Sequence, residues 1–147
     1  MRVVVPAESK AGEKRVALLP DIISKLTKAG LSVSIESGAG IHAGASDESY
    51  IEQGAAIFSA SDQRKELSNA DVALSVQPLS PDQASNLKSG AITISFLSSV
   101  SAKESIDALA KSGATAFSLE ALPRISRAQS MDALTSQALC AGYKAAL

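Results

Sequence analysis

Between Leu122 and Gln137 the chain sets two arginines, two glutamines, one aspartate and four hydroxyl side chains within sixteen positions, LPRISRAQSMDALTSQ, directly ahead of an Ala-rich helical pattern. A helix entrance uses one or two such groups to satisfy its free backbone N–H groups. Ser126-x-x-Gln129 fits a capping box, in which the hydroxyl and the amide each satisfy one N–H. That accounts for neither Arg124, Arg127 nor Asp132. A guanidinium fork grips an amide carbonyl, a carboxylate or a phosphate, or pairs with a carboxylate such as Asp132. Asp132 at a first helical turn also suits the helix dipole. The segment is predicted to be a ligand-contacting loop, with a purely structural Arg–Asp pair as the competing reading.

Two further motifs carry polar chemistry. Gly38-Ala39-Gly40-Ile41-His42-Ala43-Gly44 follows a strand pattern, which invites comparison with a dinucleotide-binding turn. Its spacing is not G-x-G-x-x-G, and no helix opens at once with an acidic residue about 20 positions on. A tight turn with glycines at positive φ is the expectation. Glu13-Lys14-Arg15 offers an exposed ion pair. The chain holds one histidine and one cysteine, His42 and Cys140, far apart in sequence, so no zinc pattern is present. No G-x-S-x-G elbow occurs either.

The elements that must position these groups alternate. Strand patterns cover Arg2–Val5, Ser32–Ser37, Ala55–Phe58, Asp71–Val76, Ala91–Leu97 and Thr115–Leu119. Helical patterns cover Asp21–Ala29 with Gly30 as its stop, Ser46–Gln53, Ser61–Leu67, a stretch opened by Ser80-Pro81, Ala102–Lys111, and the run from Asp132 to Leu147. Strands separated by helices predict an α/β fold, a parallel sheet of βαβ units sandwiched between helices. The last helix, with Leu134, Ala138, Ala141 and Ala145 in one stripe, stops at Leu147 with no glycine or charged last turn. It is expected to be cut from a longer protein. The domain reading is a lobe over residues 1–131 and, over 132–147, the truncated start of a helix leading to a further lobe.

Bulk properties exclude several classes. The 147 residues, 46% hydrophobic and 20% charged, describe one globular domain rather than a disordered chain. A net charge of −1 gives no electrostatic case for nucleic acid or an anionic membrane. The Ala91–Val100 run is far shorter than the ~20 residues of a membrane span, so a soluble chain is expected. Cys140 admits no internal disulfide and is expected to pack as a small apolar residue.

The Pro123–Gln137 segment closely resembles the signature of the NAD(H)-binding component of proton-translocating nicotinamide nucleotide transhydrogenases, a family that includes the alanine dehydrogenases. Arg2-Val3-Val4-Val5-Pro6, Glu13-Lys14-Arg15-Val16-Ala17, Glu36-Ser37-Gly38-Ala39-Gly40 and Ala141-Gly142-Tyr143-Lys144-Ala145 extend the resemblance over the chain. It implies a flavodoxin/Rossmann-like lobe without its own dinucleotide fingerprint. It also implies cofactor-binding roles near a nicotinamide ring for Arg124, Gln129, Asp132 and Thr135, with no catalytic side chain and no metal. The carboxamide offers a carbonyl acceptor and an amide donor, which Arg124, Asp132 and Gln129 are equipped to read. Hydride exchange between two nicotinamides needs positioning rather than acid–base groups.

By the same resemblance, the full protein binds NAD(H), and NADP(H) sits on a partner component. Hydride transfer is reversible and coupled to a membrane component. The full-length form is a homodimer, cytoplasmic and peripheral to the inner membrane through its partners. The isolated fragment is expected to be inactive. In the alanine dehydrogenases the Arg matching Arg15 binds the substrate carboxylate with a Lys and a His. Here Ser75 stands at the Lys position, and Phe96-Leu97-Ser98 carries no His, which argues against amination of a keto acid. An alanine-dehydrogenase-like oxidoreductase and a non-catalytic docking or dimerisation module remain the alternatives.

Overall fold

A computed structural model describes residues 1–98 and 101–147. The last two positions of the Ala91–Val100 run, Ser99 and Val100, lie outside the described residues. Six parallel strands form one sheet: β1 (Arg2–Val5), β2 (Ser32–Glu36), β3 (Ala56–Phe58), β4 (Val72–Leu74), β5 (Ile92–Ser95) and β6 (Thr115–Ser118). Their spatial order is β3-β2-β1-β4-β5-β6, the doubly wound Rossmann-like arrangement. The α/β parallel-sheet expectation is therefore met.

Alternation along β1 shows how the sheet fills two layers. Val3 and Val5 point to one face, where they pack with Val33, Ile35, Ile23 and Tyr50; Val4 points to the other, with Leu67, Leu79, Leu87 and Leu109. The first layer is covered by α1 (Pro20–Lys28) and α2 (Asp47–Glu52), the second by α3 (Gln63–Ser68), α4 (Pro81–Ser85) and α5 (Lys103–Ser112). The pairing Val3↔Val33 and Val5↔Ile35 keeps this in-and-out pattern across strands.

Local signals end the elements as their chemistry requires. Ser46 caps α2 by accepting the Ser49 amide at 3.3 Å. Ser80 and Gln83 form a full capping box on α4, with Pro81 at its first position. The identical Ser-x-x-Gln spacing at Ser126 and Gln129 forms none. That segment is a 3-10 turn, Ser126–Met131, entered by extended Ile125 with no side-chain cap. The helix after it, α6 (Ala133–Ala146), is capped by Asp132 instead.

A second departure from expectation concerns α6 itself. It contains no buried residue, and its stripe of Leu134, Ala138, Ala141 and Ala145 is exposed. Cys140, expected among packing residues, is exposed as well. The cause is topological: α6 follows the last strand of the order and no further layer of this chain covers it. Among the described residues no helix is long and apolar enough to cross a membrane.

Candidate functional site

In a parallel sheet every strand points the same way, so the loops after β1, β2, β4, β5 and β6 gather at one carboxyl edge. Three glutamates staple that edge together. Glu36, ending β2, accepts the Ala7 amide at 2.9 Å. Glu8, beyond β1, accepts the Val76 and Gln77 amides at 2.6 and 3.0 Å. Glu120, beyond β6, accepts the Leu97 and Ser98 amides at 3.0 and 2.6 Å.

These are the backbone N–H groups that an anion would otherwise take at a strand exit. The crevice between β1 and β4, where the strand order reverses, is the usual seat of a pyrophosphate in this architecture. Here Glu8 closes it with a carboxylate, and α1 begins only at Pro20, so no helix N-terminus faces the crevice. The lobe thus lacks a pyrophosphate cradle for a stated reason. Burial pushes the Glu8 carboxyl above the ordinary range, against the lowering effect of the two amides.

Next to this crevice lies a cleft of about 560 Å³ whose lining includes Lys14, Arg15, His42, Ser75, Phe96 and Gln137. Glu13 grips Arg15 in both directions: Arg15 Nε donates to Oε1 at 2.7 Å and Nη2 donates to Oε2 at 2.6 Å. The expected ion pair is present. Gln77 Nε2 also donates to Glu13, at 2.7 Å. The Arg15 hydrogen bonds hold the Glu13 carboxyl down at about 2, against its burial and with the Gln77 amide assisting.

The sign of the pH effect follows. A carboxylate depressed from 4.5 to about 2 contributes stability that is present above pH 4.5 and lost as pH falls through about 2. Glu8, shifted upward, works the other way: its contribution is present at low pH and lost as pH rises through its raised value. The larger Glu13 shift sets the expected outcome, a steep acid limb in unfolding free energy between pH 4.5 and about 2. Urea titrations across that window should show a visibly flatter limb for Glu13→Gln. Parallel limbs for the two proteins would refute the assignment.

The Leu122–Gln137 segment forms the wall beyond β6. Arg124, Ser126, Gln129 and Asp132 line a recess of about 240 Å³. Three of the four residues singled out from sequence thus meet around one space. The side chains of Arg124 and Gln129 make no hydrogen bond among the described residues, so their donors face the recess uncommitted. Asp132 divides its work. Oδ1 accepts the Thr135 amide at 3.0 Å and Oδ2 accepts the Thr135 hydroxyl at 2.5 Å. Those bonds, with the nearby Arg124 charge, hold its carboxyl below the ordinary range. Thr135 is not part of the recess lining; its hydroxyl orients Asp132.

A third concavity of about 590 Å³ joins the other two. It shares Gln129 and Asp132 with the recess, and Ile94 and Leu119 with the Arg15 cleft, and adds Phe117, Leu122 and Met131. A continuous groove therefore runs along the carboxyl edge from Arg15 to Arg124, apolar in its middle and polar at both ends.

Sequence reasoning placed His42 in a Gly-rich turn and gave it no neighbours. The structure brings it, with Lys14 and Gln137, to the Arg15 cleft. The available signal was positional: the His42 loop follows a parallel strand, as do the loops of Ser75 and Phe96. The turn itself is as expected at Gly38 and Gly44, with φ of 79° and 81°. Among the described residues no group of three or more His, Cys, Asp or Glu side chains gathers to hold a metal.

Comparison with known proteins agrees with this geometry. The model of the alanine dehydrogenase/PNT N-terminal domain matches residues 4–141. The first of the polypeptides that make up the NAD(P) transhydrogenase alpha subunit of Rhodospirillum rubrum is 39% identical over the whole chain, which spans 39% of that relative's length. A transhydrogenase structure from Sinorhizobium meliloti superposes with a TM-score of 0.91 at 39% identity, over 99% of this chain and 43% of that one. An L-alanine dehydrogenase structure follows at 0.74 and 29% identity, over 82% of this chain and 32% of that one. By the match of the family model to residues 4–141, the chain belongs to the alanine dehydrogenase/PNT N-terminal domain family, and it resembles the N-terminal portion of NAD(P) transhydrogenase alpha subunits.

Proposed function

We propose that this chain is the N-terminal lobe of the NAD(H)-binding component of a proton-translocating transhydrogenase, and that Arg124, Gln129 and Asp132 receive the nicotinamide carboxamide. One observation carries the reading: an uncommitted guanidinium, an uncommitted amide and a carboxylate meet around a recess of about 240 Å³. Arg124 can donate to the carboxamide oxygen. Asp132 retains lone pairs for the carboxamide N–H groups, and Gln129 can serve either. The apolar stretch of Ile94, Phe117 and Leu119 beside them suits a flat ring. Bound NAD(H) supplies or accepts the hydride; the chain's residues fix the ring's angle and exclude water from one face.

In this reading the lobe covers residues 1–131, and residues 132–147 begin the helix that leads to a separate NAD-binding lobe. That lobe takes the adenosine and pyrophosphate, for which the carboxyl edge here has no free amides. NADP(H) binds a partner component, and a membrane component couples hydride transfer to proton movement. The full-length protein is a homodimer held at the cytoplasmic side of the inner membrane by those partners. The alanine-dehydrogenase reading is weakened by Arg15, whose fork is committed to Glu13 and Gln137, and by Ser75, whose hydroxyl donates to the Gln77 carbonyl at 2.7 Å.

A nitrogen-15-labelled chain titrated with NADH tests the site directly. Amide shifts are expected to cluster over residues 124–135, with a dissociation constant of about 1 mM, since only one end of the ligand is held. Binding at about 1 μM, or shifts that spare this segment, would refute the proposal.

A further inference from the structure

Arg15 Nη1 donates to Gln137 Oε1 at 3.0 Å, across 122 positions of sequence. Among the described residues this is the one side-chain hydrogen bond that ties α6 to a distant part of the chain. The rest of the helix is exposed, and its other side-chain bonds stay local: Thr135 to Asp132 and Ser136 to the Ala133 carbonyl. Behind Arg15 the connection continues. Glu13 holds its other two donor positions, Gln77 backs Glu13, and Glu8 holds the Gln77 amide. An unbroken series of polar contacts therefore runs from the β1–β4 crevice to the second turn of α6.

From this connection we infer that Arg15 is a positioning residue for hydride transfer, acting as a strut that fixes α6 through Gln137. The inference rests on the nicotinamide reading above. Asp132 and Thr135 sit at the entrance of the same helix, one to two turns before Gln137. A helix with no buried face can pivot about its first turn, and a pivot displaces the Asp132 carboxylate relative to Arg124. Misplacement of a reacting ring by about 1 Å can cost on the order of a hundredfold in rate. The guanidinium is suited to the task because its planar fork meets two partners in fixed directions. It leaves Arg15 serving the helix rather than reading a substrate carboxylate.

Two paired measurements test the strut. In the full-length protein assayed with its partner, Arg15→Met and Gln137→Leu are each expected to lower kcat about tenfold while KM for NAD(H) moves less than about threefold. The double variant should be no worse than either single, the mark of one shared contact. Gln137→Glu, which keeps an acceptor for Arg15, should stay within about twofold of the unmodified protein. In the 147-residue chain, a nitroxide on Cys140, its sole cysteine, reads the motion of α6 one turn beyond Gln137.

Arg15→Met and Gln137→Leu should both narrow the nitroxide spectrum, and Gln137→Glu should not. Gln137 is exposed, so its variants report even if Arg15→Met fails to fold. Unchanged spectra, or additive losses in the double variant, overturn the strut. An unimpaired Asp132→Asn protein overturns the nicotinamide reading instead, and the spectra still judge the strut by themselves.

Discussion

Asp132→Asn in the full-length protein is expected to lower hydride transfer between NAD(H) and NADP(H) by tenfold to a hundredfold while leaving the unfolding free energy within about 0.5 kcal/mol of the original. The two effects separate because Asp132 has two jobs. As the cap of α6 its Oδ1 accepts the Thr135 amide at 3.0 Å, and an asparagine oxygen does this as well as an aspartate. As a reader of the carboxamide it must accept, with charge, from an amide N–H. A hydrogen bond to a charged group is worth about 1.5–3 kcal/mol, which is the stated range in rate if the bond matures in the transition state. Arg124→Lys belongs beside it: the charge stays and the planar fork goes, so a loss of similar size marks recognition by shape. Full activity in both variants would leave the segment as a helix entrance alone and favour the docking-module alternative.

The fold was legible because its signals are local and agree with one another. Arg2–Val5, Ser32–Glu36 and Ile92–Ser95 are short β-branched runs closed by proline, glycine or serine, and each became a strand. Gly30 and Gly113 stop helices with φ of 82° and 74°, where a left-handed residue is needed. What local pattern could not resolve was a choice between equivalent caps. Ser80-Pro81-Asp82-Gln83 and Ser126-Arg127-Ala128-Gln129 share their spacing, and only the first closes a box. Proline at the first helical position commits Ser80 to a helix entrance, whereas Ile125 leads Ser126 into a 3-10 turn.

The site was legible only on the side where its residues are consecutive. Arg124, Gln129 and Asp132 lie within nine positions and meet in space. The opposite wall is assembled from His42, Lys14, Ser75 and Gln137, one from each of four distant segments. Their convergence is a property of strand order, since β2, β1 and β4 are spatial neighbours although β3 and α3 intervene in sequence. Cys140 and the α6 stripe were misjudged for a related reason. A helical apolar pattern shows that a face can be covered, and it does not say that this chain supplies the cover.

Gly40→Ala is expected to cost about 3 kcal/mol of stability, more than other glycine replacements in the same loop. A Cβ there would stand 2.7 Å from both Cε2 and the hydroxyl of Tyr50 and 2.8 Å from the Ala45 carbonyl oxygen. None of these atoms can yield cheaply. Tyr50 is wholly buried under α1 and its hydroxyl donates to the Leu18 carbonyl at 2.8 Å, so the ring is held at both ends. Gly38 and Gly44 differ in kind: their φ values are positive, but a Cβ meets nothing within 4 Å. Alanine there should cost about 1–2 kcal/mol in backbone strain. The rank order in urea unfolding, Gly40 well above Gly38 and Gly44, is the checkable result; equal costs would mean that backbone conformation rather than the Tyr50 contact dictates all three. The same contact bears on the site, because the turn that Tyr50 pins carries His42 and Ala43 into the Arg15 cleft. Gly40→Ala should therefore perturb that wall of the groove even at temperatures where the protein remains folded, and amide shifts at residues 41–44 should exceed those at 124–132.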